Sequence, residues 1–152
     1  MAIRNIVKEG DPVLRKTSRT VTVFDEKLAQ LLDDMAETLY QAEGVGLAAP
    51  QVGILKRACL VDTGDDLVEL INPVIIEESG SQEGCEGCLS SPGDWGIVVR
   101  PMNVTVRAQD RHGKTFTVSA TELKARAFCH EIDHLNGVLF KDKMIRRVEV
   151  EG

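Results

Sequence analysis

A chain of 152 residues, 43% hydrophobic and 28% charged, is long enough to bury a core without staples and points to one domain, 1–152. A formal charge of −6 argues against specific nucleic-acid binding, which needs clustered Lys and Arg to meet phosphates. No apolar run nears the ~20 residues of a membrane span, and MAIRNIVKEGD has no apolar signal region, so a cytoplasmic protein with four reduced cysteines is expected.

Residues 1–23 read as irregular around a Gly10-Asp11-Pro12 turn, with a short strand near Val21 to Phe24. Apolar residues at 28, 31, 32, 35 and 39 then recur with helical spacing. Asp25 is the predicted N-cap of that helix and Gly44 its stop. Val- and Ile-rich stretches at 57–62, 67–76, 95–100, 103–110 and 114–119, parted by turn residues, predict antiparallel strands. Arg111-His112-Gly113 reads as a hairpin turn, which puts His112 on the surface. A second helix is predicted over about 120–136, with Ser119 and Glu122 as a capping box and Gly137 as the stop. The basic residues Lys141, Lys143, Arg146 and Arg147 read as a solvated tail or strand edge. The pattern suggests an α+β fold, with antiparallel sheets packed around the C-terminal helix and an additional N-terminal helix.

Within that last helix lies His130-Glu131-Ile132-Asp133-His134, an H-E-x-x-H pattern. Four positions apart, the two histidines emerge from one face, so both imidazoles can reach one divalent ion, with Glu131 near enough to act as a base. A third ligand downstream is ill placed. Glu149 and Glu151 lie in the expected tail, and Phe140 occupies the position where a third histidine would fall in H-E-x-x-H-x-x-G-x-x-H. Upstream stands Cys85-x-x-Cys88. Both cysteines with both histidines would make a closed structural zinc site; one alone would leave a coordination position for water. Spacing does not choose, although Glu131 favours catalysis.

Three separated stretches carry a family resemblance: Gly44-Val45-Gly46-Leu47-Ala48-Ala49-Pro50-Gln51, Glu86-Gly87-Cys88-Leu89-Ser90, and His130-Glu131-Ile132-Asp133-His134-Leu135. In order and spacing they resemble the three motifs of peptide deformylases, over nearly the whole chain. The resemblance implies that Cys88, His130 and His134 bind the metal and that Cys85 is a bystander. It implies removal of the N-formyl group from nascent chains beginning with formyl-methionine. The resemblance further implies that the ion would supply a hydroxide to attack the formyl carbon, with Glu131 as general base and acid and the Gln51 amide and Leu89 N–H meeting the oxyanion. Gly44, Val45 and Gly46 are then expected to let an extended substrate pair as an added strand. Glu86 and Arg100 are expected to form an ion pair bracing the cysteine loop.

The resemblance points to ferrous iron as the ion, with zinc, nickel or cobalt as substitutes. The implied partners are nascent formyl-Met polypeptides and, transiently, the ribosome; the chain is expected to be a monomer. Family members often carry a longer C-terminal extension associated with the ribosome, whereas this chain stops at Gly152. Cys129 stands where the family usually has glutamine and reads as buried filling. Arg126 is expected to run its guanidinium out to water. Rival readings are a metallopeptidase and a non-catalytic Cys2His2 zinc module.

Overall fold

Five residues at three- and four-residue intervals fall along one stripe of a 3.6-residue helix. Accordingly Glu26–Gln41 forms α1, with Leu28, Leu31, Leu32, Met35 and Leu39 all buried. The Asp25 carboxylate caps it, accepting the Leu28 N–H at 3.1 Å. The far end differs in detail from the sequence expectation. The residue that turns left-handed is Glu43 (φ 56°), one before Gly44. Gly44 N–H then bonds Leu39 O at 3.1 Å and Glu43 N–H bonds Tyr40 O at 3.2 Å, the paired bonds of a Schellman ending.

The computed structural model describes residues 2–149. Its strands are β1 (Gly46–Ala48), β2 (Ala58–Val61), β3 (Val68–Ser79), β4 (Gln82–Cys88), β5 (Ser91–Arg100), β6 (Asn103–Gln109), β7 (Thr115–Thr121) and β8 (Met144–Val148). The second helix, α2, spans Glu122–Leu135. All named strands pair antiparallel, in a five-stranded sheet ordered β1-β2-β3-β6-β7 and a three-stranded sheet ordered β4-β5-β8.

The β1–β2 end of the larger sheet is covered on both faces, which explains why β2 is buried at every position. Side chains alternate along a strand, so Leu47, Ala58 and Leu60 join the α1 stripe. Their neighbours Ala48, Cys59 and Val61 pack with Ala125, Phe128, Cys129, Ile132 and Leu135 of α2. Cys129 is therefore core filling, as expected.

Three expectations fail for identifiable reasons. Val21 to Phe24 forms no strand. Its edge groups are met by a side chain, because Asn72 Oδ1 accepts the Val21 N–H (2.8 Å) and Asn72 Nδ2 donates to Val21 O (2.9 Å). The Ser119–Glu122 capping box does not form. Ser119 is held in β7 opposite Thr105, its hydroxyl 2.8 Å from the Thr105 hydroxyl. The strand instead runs straight into α2, and Glu122, at φ 56°, absorbs the change of direction. Third, the expected cysteine loop is largely strand: Gln82–Cys88 forms β4, paired with β5 except for a register shift between Glu86 and Cys88. The basic residues near the end do lie on or beside an edge strand. Lys141 bridges Glu9 and Asp94, Lys143 meets Asp133, and Arg147 meets Asp94.

Candidate metal centre

His130 and His134 leave one face of α2, as four-residue spacing requires, with ring centroids 5.0 Å apart. Cys88 arrives from the end of β4, more than forty positions earlier in the chain. Its Sγ lies 3.3 Å from His134 Nε2, and the donor atoms of Cys88, His130 and His134 all fall within 4.8 Å of one another. Cys85 is outside this group and exposed. His112 sits exposed in its hairpin turn.

Each ligand candidate is held by a neighbour. His130 Nδ1 lies 2.9 Å from Glu86 Oε1, which leaves Nε2 to face the thiol and the second histidine. Glu86 is itself clamped. Arg100 donates to both of its oxygens, at 2.9 and 3.0 Å, and Arg126 donates to Oε2 at 2.6 Å. Arg100 also reaches Asp133 on α2 at 2.6 Å. Burial pushes the Glu86 carboxyl upward, but the hydrogen bonds from His130 and Arg100 outweigh it and hold the group down at about 2. The expected Glu86–Arg100 pair is present. The expected solvent exit of Arg126 is not. That side chain is buried and spent on Glu86 and on the carbonyls of Val98 and Gly84.

Glu131 is buried to 4% exposure, and its Oε1 has no hydrogen-bond partner. Burial therefore lifts its carboxyl to about 7, with the Glu86 charge adding to the rise and His130 opposing it. For His130 the balance is reversed. Burial favours the neutral ring, yet the Glu131 charge, the Cys88 thiol and Glu86 together raise it to about 10. Burial drives His134 the other way, well below the usual range, so its imidazole is neutral. The pocket thus stabilises a positive charge between a thiol and two ring nitrogens. That is what a divalent cation would supply, and the donor set fits one.

Gln51 is buried in a short 3-10 turn, Ala49–Val52, after β1. Its Oε1 accepts the Ala48 N–H at 2.9 Å, which turns Nε2 toward Ser90 Oγ (3.1 Å) and Cys88 Sγ (3.5 Å). Leu89 lies in the turn joining β4 to β5, with its side chain against Gly44. A cleft of about 480 Å³ gathers Gly44, Val45, Gly46, Gln51, Leu89 and Glu131 around the donors. β1 forms one edge of its sheet, paired only with β2. Gly46 is pressed against Glu131: a Cβ there would stand 2.8 Å from Glu131 Cδ. Ser90, Asp133 and Arg126 belong to this constellation and carried no expected role, although the first two stand inside the motifs.

A thiol and two imidazoles converging on one point, beside a buried carboxylate with a free oxygen, is the equipment of a mononuclear metallohydrolase. Known proteins narrow that class. The Polypeptide deformylase family model matches residues 3–149, and the chain belongs to this family. The peptide deformylase of Alkaliphilus metalliredigens is 60% identical over 146 residues, covering 96% of this chain and 99% of that protein. That of Acetivibrio thermocellus is 58% identical over 149 residues, covering 98% and 88%. The crystal structure of the Thermotoga maritima enzyme superposes with a TM-score of 0.94 at 41% identity, covering 96% of this chain and all of that one.

Proposed function

We propose that Cys88, His130 and His134 hold one divalent ion in a single catalytic domain, 1–152, and that Glu131 serves the chemistry beside it. The chain is a metal-dependent hydrolase that removes the N-formyl group from newly synthesised polypeptides. The observation that carries the residue assignment is the convergence of three donor atoms, from stretches over forty residues apart, within 4.8 Å. A bound ion supplies Lewis acidity and brings the pKa of a coordinated water toward 7. Thiolate and imidazole donors suit ferrous iron, the proposed physiological ion, and equally zinc, nickel or cobalt as replacements.

Glu131, held near neutrality by burial, takes the proton of the attacking water and returns it to the leaving amine. Gln51 Nε2 and the Leu89 N–H are the proposed donors to the developing oxyanion; Ala48 fixes the Gln51 amide in the required sense. The substrate backbone lies along the free edge of β1, beside Gly44, Val45 and Gly46. Main-chain pairing suits an enzyme that accepts many nascent sequences. Glu86 and Arg100 keep the His130 ring in place. The proposed setting is the cytoplasm, as a monomer in transient contact with the ribosome.

Anaerobically purified protein should release formate from formyl-Met-Ala-Ser. It should lose that activity on chelation and regain it with ferrous iron or cobalt. Scission of an internal bond, seen by mass spectrometry, or turnover that survives metal removal would refute the reading.

A further inference from the structure

Glu86 is the hub of the buried polar cluster, and its most conspicuous partner is the arginine one turn ahead of His130. Arg126 Nη1 donates to Glu86 Oε2 at 2.6 Å and to Val98 O at 3.1 Å; its side chain is only 8% exposed. Glu86 in turn fixes His130 through Nδ1. One carboxylate therefore joins a helix guanidinium, a strand guanidinium and a ring facing the ion, with no solvent between them.

Arg126 reaches this position through a gap in β4. A Cβ built on Gly84 would stand 2.7 Å from Arg126 Nη2 and 2.9 Å from Cζ. Gly84 lies mid-strand, between neighbours that pair normally with β5, so no turn there demands a glycine. The missing side chain is the room that the guanidinium occupies.

We propose that Arg126 is a positioning residue for the metal centre. It pins the Glu86 carboxylate from the helix side, sharing Oε2 with Arg100, so that Glu86 holds the His130 ring at one orientation, and Gly84 is the complementary vacancy that admits it. The inference rests on the ligand assignment proposed above. A merely structural Arg126 would tie α2 to β5 through Val98 O and influence stability alone. A positioning Arg126 acts on how tightly and with what geometry the ion is held, because partners of a metal-bound histidine typically govern affinity by about ten- to a hundredfold.

Cobalt-loaded protein separates the two roles without reference to turnover. Arg126→Met and Gly84→Ala should each speed cobalt release to a chelator by about ten- to a hundredfold and shift the visible cobalt bands. Arg126→Lys should stay near wild type, since only Nη1 meets Glu86 and one ammonium can replace it. The double variant should release cobalt no faster than Arg126→Met alone, because both changes remove one contact. Wild-type release and bands in Arg126→Met would overturn the proposal. Should that variant fail to fold, the same result in Gly84→Ala would overturn it. Additive effects in the double variant would do so too. If the wild-type protein took up no cobalt, the ligand assignment itself would fall, and this inference with it.

Discussion

The two helices bury comparable surfaces for opposite ends. α1 turns leucines and a methionine inward, and its buried Asp34 is satisfied, accepting from the Ala2 N–H, Arg4 and Gln30. Glu37 Oε2 on the same helix is buried without a partner among the described residues. α2 is buried over most of its circumference and carries Arg126, His130, Glu131 and His134 into the interior. Three of its buried atoms, Arg126 Nη2, Glu131 Oε1 and His134 Nδ1, have no partner among the described residues. An unsatisfied buried polar atom works against folding. The first helix leaves one such atom and the second three, so the second helix gives up more stability than the first.

That contrast can be broken most severely at Glu131. Glu131→Gln should lower formate release by about 10²–10⁴-fold, while the metal-free protein melts higher than wild type at about pH 8. The sign follows from the raised carboxyl. A group lifted to about 7 by burial binds its proton more tightly when folded, so its stabilising contribution is complete at acid pH and vanishes as pH rises through 7. Near pH 4 the two proteins should melt alike. A lower melting temperature for the glutamine form at the alkaline end would contradict the contrast.

On α1 the outcome inverts. Leu32→Ala empties a fully buried site and should cost about 2–5 kcal/mol in denaturant titration, with turnover per folded molecule unchanged. The smallest effect belongs to the helix cap: Asp25→Ala loses the bond to Leu28 N–H and should cost about 1 kcal/mol, again without altering turnover.

What could be read from residues alone divides along the same line. α1 was legible because its signal is local, a stripe and a cap. The His130–His134 pair was legible because helix spacing alone places both rings. The third donor was not: C-x-x-C fits one sulfur or two, and only the family motif singled out Cys88. Arg126 was misplaced because a lone arginine defaults to solvent, and its actual partner is forty residues away on β4. The strand β4 itself lacks an apolar alternation, since glycines, glutamates and cysteines fill it. It is defined by pairing with β5, which no short window can reveal. The Ser119–Glu122 pattern was a sound local cue that lost to the hydrogen bonds of β6 and β7.

The contact between Gly46 and Glu131 has a reach beyond the glycine itself. If a peptide pairs with β1 as proposed, the strand that receives it is also the wall behind Glu131, with room there for no more than a hydrogen atom. Docking and proton transfer therefore share a common ruler. Any slip of β1 along β2 would jostle the carboxylate in the same movement, so on the proposed roles the place where a peptide lies and the moment at which it reacts could not be adjusted separately.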